Sequence, residues 1–219
     1  MERHVLVILP HPDDESFGAA GVIAQHTQRG TPVTYVCATL GEMGRNMGNP
    51  FFANRETLPE IRKKELLAAC RVLGINDLRL LGMLDKTLEF EDPDLFADRI
   101  EAIIKELQPS LVISFYPGHG FHPDHDACAE AVVRAMERLP QAERPTLHAQ
   151  AILEESETIL GKPDIVIDVT DVLDKKIAAI QAHRTQFQGI LSRFVAETDF
   201  DNPKLRQWLS TEAFWIYPF

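Results

Sequence analysis

The sequence predicts a doubly wound α/β fold, with one mostly parallel sheet carrying helices on both faces and a single domain over residues 1–219. Three observations predict it. His4–Leu9 and Leu111–Phe115 are nearly continuous apolar runs, which suit strands buried on both faces. Strand-like runs alternate with helix-length segments, the pattern of right-handed strand–helix–strand crossovers. The two most polar, histidine-bearing loops follow those two apolar runs. A strand order 3-2-1-4-5 brings both loops to the crevice beyond the carboxyl ends of neighbouring strands, where ligands bind in such sheets.

Taken in order, His4–Leu9 is the first strand, and Glu15–Arg29 is a helix that Gly30 can close. Val33–Leu40 is the second strand. Residues 41–56 carry three glycines and a proline without a period, and a loop of that length is usually functional or disordered; Phe51 and Phe52 suggest that it folds over something. Thr57 and Glu60 have the spacing of a capping box, with Pro59 in the first turn, and the helix runs to Leu73 before Gly74. Leu78–Leu81 is a short strand. Asp92 caps a helix over Pro93–Leu107, which Pro109 stops. Leu111–Phe115 is the fourth strand, Asp124–Leu139 a helix and Leu147–Leu153 the fifth strand. Ile165–Val169 reads as a strand, Asp171–Ala182 and Pro203–Leu209 as helices, and Phe214–Pro218 as an extended end.

Composition narrows the function. The chain has 219 residues, 45% hydrophobic and 25% charged, enough for a core that needs neither disulfides nor a structural metal. A net charge of −11 without a lysine/arginine run argues against nucleic acid or an anionic membrane as a partner. No stretch approaches the ~20 apolar residues of a membrane span, and the first apolar run ends too early for a signal peptide. Cys37, Cys70 and Cys128 are scattered and odd in number, as reduced core thiols of a cytoplasmic protein would be.

Two constellations carry chemistry. HPDDE, residues 11–15, puts a histidine and three acids just past a buried strand, which is costly unless something uses them. Zinc accepts imidazole nitrogen and carboxylate oxygen, and a catalytic site keeps one position open for water. Pro12 pushes His11 out of helical geometry. A capping aspartate accounts for one acid, not for two acids and a histidine. HPDH, residues 122–125, sets His122 and His125 three apart at a helix start, on one side. Spacing alone leaves open which aspartate and which histidine ligate, and His119 reads as a solvated neighbour.

HPDDE after the first strand, GEMG after the second, IRKKE in the following helix and HPDH after the fourth strand resemble the zinc-dependent N-acetylglucosamine de-N-acetylases of the PIG-L/LmbE-like family. Within it, YVCATLGEMGRNMGNP, DKTLEFE and the ending FWIYPF resemble the second bacillithiol-biosynthesis type. The resemblance implies a Rossmann-like hydrolase in which His11, Asp14 and His125 hold Zn2+, with Fe(II) also compatible with such a donor set. It implies Asp13 as general base, His122 as oxyanion donor or acid, and Asp124 orienting His122. Glu42 and Asp85 would meet sugar hydroxyls, and Arg62, whose fork matches a carboxylate, the anionic aglycone. Arg45 and Arg55 are weaker candidates for that contact, and His183 either closes the pocket or lies on a helix surface. The implied reaction removes the acetyl group from N-acetylglucosaminyl-L-malate, an amino-sugar conjugate, by attack of zinc-bound water on a linear amide. The resemblance also implies a homo-oligomer.

Three other readings compete. An amidase of bacillithiol S-conjugates would use the same chemistry with a larger pocket. A nucleotide-binding oxidoreductase is disfavoured because PHPDDESFG lacks the G-x-G-x-x-G turn. A non-catalytic metal-binding module has no use for a free base such as Asp13.

Overall fold

In the centre of the sheet, β1 (Val5–Leu9) pairs in parallel with β2 (Val33–Cys37) on one side and with β4 (Leu111–Phe115) on the other. Its side chains alternate between two cores. Val5, Val7 and Leu9 join one, and Leu6 and Ile8 join the other, so all five residues are fully buried. A strand with two apolar faces cannot alternate apolar and polar residues, which is why VLVIL reads as an unbroken run. Each such side chain contributes roughly 1.5–3 kcal/mol of burial. The computed structural model describes residues 2–191 and 199–219.

The sheet has the order β3-β2-β1-β4-β5-β7-β6. The segment β3 (Asp77–Leu80)-β2-β1-β4-β5 (Thr146–Gln150) is parallel and has the expected order. Beyond it, β7 (Thr211–Ile216) runs antiparallel between β5 and β6 (Ile165–Asp168). The end expected to be extended over Phe214–Pro218 is in part a strand, β7, which begins three residues earlier and ends at Ile216. The expected fifth strand ends at Gln150 rather than Leu153.

The helix expected over Glu15–Arg29 is two helices, α1 (Asp14–Gly18) and α2 (Ala20–Gln28), broken at Ala19, whose φ is −133°. The break lets Gly18 press against the Gln150 side chain, where a Cβ would come within 2.1 Å of Oε1. The N-terminus of α2 is held by a buried carboxylate: Glu212 of β7 accepts hydrogen bonds from the Gly21 and Val22 N–H groups and from Lys176 Nζ, each at 2.8 Å. Lys176 lies on α7 (Leu173–Ala182), so one ion pair ties three elements together.

The helix α3 (Leu58–Leu73) ends at Gly74 with φ 77°. Its expected capping box does not form. Thr57 makes no side-chain cap, and Asn54 Oδ1 instead accepts from the Glu56 and Thr57 N–H groups. Asp92 caps α4 (Pro93–Leu107) by accepting from Asp94 and Leu95 N–H. The helix after β4 is α5 (Pro123–Glu137), with His122 at its N-cap. Three short helices complete the described chain: α6 (Ser156–Leu160), α8 (Phe187–Leu191) and α9 (Pro203–Leu209). No helix among the described residues is long and apolar enough to cross a membrane.

Candidate active site

The turn after β1 and the turn after β4 meet because β1 and β4 are neighbours. His11 is fixed first by its backbone. Its carbonyl accepts from the buried Tyr35 hydroxyl at 3.1 Å, and its N–H donates to Asp14 Oδ2 at 2.8 Å. The ring is fixed by two carboxylates, with Nε2 3.1 Å from Asp124 Oδ2 and 3.2 Å from Asp85 Oδ1. Carboxylates on Nε2 place the proton there and leave the Nδ1 lone pair free, the arrangement that orients metal-ligating histidines.

That nitrogen faces two other donors. His11 Nδ1 is 3.2 Å from His125 Nε2 and 3.5 Å from Asp14 Oδ2, and His125 Nε2 is 3.4 Å from Asp14 Oδ1. Tetrahedral zinc bonds of 2.0–2.2 Å separate their donors by about 3.3–3.5 Å. The three residues thus fit one divalent ion by spacing and by donor type. His125 is aimed by its surroundings: its ring stacks on Phe115 at the end of β4, 4.1 Å between centroids and 4° from parallel. A second overlapping group, His11, His122 and Asp124, fits less well. Its Asp124 carboxylate already accepts from Lys86 N–H at 2.6 Å and Leu88 N–H at 3.2 Å.

Titration of these groups follows from burial and neighbours. Burial alone would pull the His11 imidazole down, but Asp124, Asp14 and Asp85 overrule it and hold it well above its usual value. Burial pushes His125 down to about 4. Asp14 is about 2, because His125 and His11 outweigh the upward push of burial. Asp13 goes the other way: burial raises it to about 6, tempered by Arg62 and reinforced by Asp14.

Asp13 stands apart from the donor cluster. Its φ is 113°, a conformation that costs a non-glycine residue about 1–3 kcal/mol. Its Oδ2 accepts from Arg62 Nη2 at 2.9 Å. Arg62 is therefore not at the rim, where it was expected to meet an anionic group. It is 4% exposed, and it also donates to the Pro12 and Gly41 carbonyls. Gly41, at φ 64°, has no room for a Cβ, which would lie 1.7 Å from Arg62 Nη1. Arg62 is a buried strut between α3 and the two loops.

Other expectations are also redirected. Asp85 is 4% exposed and holds His11 Nε2 and the Met43 N–H, so it positions His11 rather than lining the rim. Glu42 is half-buried and accepts from Leu40 and Asp85 N–H, clasping two loops. Asp124 orients His122 through its backbone: the Asp124 N–H donates to His122 Nδ1 at 3.1 Å. The Asp124 carboxylate goes to His11. His122, half-buried and pulled below its usual pKa by burial, accepts at Nδ1 and so carries its neutral-form proton on Nε2.

His119 is buried, with Nδ1 2.9 Å from Ser156 Oγ, and pins its loop to α6. Two buried groups behind Asp13 are less evident from sequence: Glu15, and His183 at the end of α7. The loop over residues 41–56 docks on the segment after His183. Gly48 N–H donates to Thr185 O, Gln186 Nε2 donates to Asn46 O, and the Arg184 guanidinium lies over Phe52. Phe51 is exposed. Beside His122 opens a cleft of about 600 Å³, with Phe121, Leu88, Phe96, Glu89, Glu130 and Leu153 in its walls.

The chain is similar to known proteins along its length. Residues 6–136 match the family model described as PIG-L: GlcNAc-PI de-N-acetylase. A Bacillus subtilis (strain 168) protein named "Probable N-acetyl-alpha-D-glucosaminyl L-malate deacetylase 2" is 55% identical over 217 residues, covering 99% of this chain and 98% of the relative. N,N'-diacetylchitobiose deacetylase from Pyrococcus horikoshii superposes with a TM-score of 0.75 at 25% identity, covering 99% of this chain and 84% of that one. GalB, the 4-carboxy-2-hydroxymuconate hydratase of Pseudomonas putida KT2440, superposes with the same TM-score at 22% identity, covering 99% and 97%. A shared backbone therefore does not choose the reaction; the side chains at the crevice do.

Proposed function

The chain belongs to the PIG-L family of GlcNAc-PI de-N-acetylases, and from that premise we propose that it is a zinc-dependent hydrolase that deacetylates N-acetylglucosaminyl-L-malate in bacillithiol biosynthesis. One observation carries the reading. His11 Nδ1 and His125 Nε2 lie 3.2 Å apart and meet the two oxygens of Asp14 at 3.5 and 3.4 Å, while Asp13 is held beside them on Arg62 and not among them. A binding-only site has no use for that fourth, separately held carboxylate.

His11, Asp14 and His125 would hold a divalent ion, which would supply a water of pKa about 7 and polarisation of the amide carbonyl. Asp13 takes the water's proton, and a base of pKa about 6 is suited to that near neutral pH. The water oxygen joins the acyl carbon while negative charge grows on the carbonyl oxygen. His122 donates its Nε2–H to that oxygen, and such a donor is worth about 3–4 kcal/mol. The C–N bond then breaks, Asp13 returns the proton to the departing amine, and acetate leaves. His122 acts here as a neutral donor, in keeping with its lowered pKa and its Nδ1 contact.

The cleft beside His122 has the volume of a small-molecule site, which are ~300–1,000 Å³. Three unpaired buried cysteines suit a reducing compartment, so the reaction is assigned to the cytoplasm. The test is acetate release by metal-loaded protein from N-acetylglucosaminyl-L-malate, free N-acetylglucosamine and a bacillithiol S-conjugate. The sugar-malate is expected to be the preferred substrate. Amine release from the conjugate without acetate release from the sugar-malate would overturn the assignment. Asp13→Asn, which tolerates positive φ better than alanine, is expected to keep the metal and lose most turnover.

A further inference from the structure

We propose that Glu15 and His183 are a buried positioning pair that locks the Pro12–Asp13 peptide, and with it the Asp13 side chain, in the conformation the reaction needs. The proposal rests on the function proposed above only for the role of Asp13.

The geometry makes the case. Pro12 O and Asp13 N–H belong to one peptide unit, and two buried charges grip its opposite ends. Arg62 Nη2 donates to Pro12 O, and Glu15 Oε2 accepts from Asp13 N–H at 3.1 Å. Flipping that peptide would relieve the φ of 113° at Asp13. It would also turn the carbonyl toward the Glu15 carboxylate and the N–H toward the guanidinium. Both contacts would be repulsive in a place where water cannot screen them. The two charges thus exclude the relaxed alternative.

Glu15 can serve only while its carboxylate stays aimed. It is 0% exposed, so its neighbours in the protein do the aiming. Its Oε1 accepts from Ser16 Oγ at 2.5 Å and from His183 Nε2 at 2.7 Å. His183 is also 0% exposed, and among the described residues its Nδ1 has no hydrogen-bond partner. Among them the ring makes one hydrogen bond, to Glu15. Its backbone is fixed at the end of α7, with the carbonyl accepting from Gln186 and Phe187 N–H at 2.8 and 2.9 Å. A different buried ion pair, Lys176–Glu212, ends on the first N–H groups of α2 and so binds elements of the fold. The Glu15–His183 pair differs in ending on the Asp13 amide.

The test compares His183→Leu, which removes the donor, with His183→Gln, whose amide reaches as far as Nε2. Two readouts are taken on metal-loaded protein: hydrogen exchange at the Asp13 amide, with Val7 in β1 as the reference, and kcat and KM for acetate release. His183→Leu is expected to speed Asp13 exchange at least tenfold with Val7 unchanged, and to lower kcat at least tenfold with KM within about twofold. His183→Gln is expected to restore both to within about threefold. Metal content should stay at the wild-type level. If His183→Leu does not fold, Glu15→Asp, one methylene too short to reach the Asp13 amide, is expected to give the same two changes. Unchanged Asp13 exchange in a folded variant overturns the proposal, and so does an equal loss of kcat in the Leu and Gln variants. If wild-type protein releases no acetate, the functional reading fails, and the exchange measurement still judges the pair.

Discussion

Asp124→Asn separates two roles for one carboxylate. If Asp124 works through its side chain on His122, the substitution lowers turnover and spares the metal. The structure points instead to the metal. Asp124 is fully buried, and its oxygens accept from Lys86 N–H, Leu88 N–H and His11 Nε2–H. An asparagine offers one oxygen and one NH2 to three donors, so its NH2 must face a donor. With its oxygen at the Oδ2 position shared by Lys86 N–H and His11 Nε2–H, the NH2 opposes Leu88 N–H, and a neutral amide holds the His11 proton on Nε2 less firmly than a carboxylate, so more of it moves to Nδ1. That proton then sits on the nitrogen facing Asp14 and His125 and competes with the metal. Losing such an orienting partner costs about 10–100-fold in metal affinity, or roughly 1.4–2.7 kcal/mol. Asp85 Oδ1, 3.2 Å from the same nitrogen, still favours the original tautomer and keeps the single variant near the lower figure. Asp85→Asn combined with Asp124→Asn should exceed the sum of the single effects, because each acid covers for the other. The assay is a competition titration with a chromophoric chelator. An unchanged metal Kd beside a reduced kcat would refute the reasoning and return Asp124 to His122.

Arg62→Met should lower stability by about 3–5 kcal/mol, because it leaves the buried Asp13 carboxylate without its cation. A carboxylate deprived of a cation holds its proton more tightly, so the acid limb of kcat/KM should move to higher pH; an unmoved limb would refute the pairing. Metal uptake at pH 7 should release at least one proton, measured by calorimetry in buffers of different ionisation enthalpy. His11 stands well above its usual pKa and enters protonated, whereas His125 at about 4 and Asp14 at about 2 have none to give; proton-neutral uptake would contradict this. Gly41→Ala, with a Cβ 1.7 Å from Arg62 Nη1, should reproduce much of the Arg62 phenotype in thermal unfolding and pH profile, and wild-type behaviour would count against the strut.

The elements legible in the sequence were those whose burial is symmetric. VLVIL and LVISF lie between two cores and read as strands without help. The run TEAFWI of β7 did not, because Glu212 looks like a surface residue. Its carboxylate is buried on Lys176 and on the first N–H groups of α2, partners that only the fold supplies. The break at Ala19 is equally silent, since it answers the approach of Gln150 to Gly18 from across the sheet. At the site, residue types and spacing named the two loops, and the resemblance named the donors among them. Direction was not legible. Arg62 stands among Lys63, Lys64 and Glu65 and looks solvated, yet it points inward to Asp13. His183 looks like a helix-surface histidine, and only the packing of α7 against α1 buries it on Glu15.

Why this crevice suits hydrolysis, on a backbone that also superposes on a hydratase, follows from what its own structure consumes. Asp124 is saturated by two backbone N–H groups and His11, and Asp85 by Met43 N–H and His11. Glu42 serves Leu40 and Asp85 N–H, and Glu15 serves Asp13 N–H, Ser16 and His183. A group so occupied would have to break a buried hydrogen bond to act on a ligand, losing about 1–3 kcal/mol each time. Of the polar groups on the two loops, the described structure leaves His11 Nδ1, His125 Nε2 and Asp14 Oδ1 clustered, with Asp13 Oδ1 and His122 Nε2 beside them. Three are donor atoms placed for one cation once His11 gives up its proton, one is the second oxygen of the proposed base, and one is a neutral N–H. Splitting an amide uses that whole set: the carbonyl needs charge stabilisation, the water needs a base, and the amine needs that proton returned.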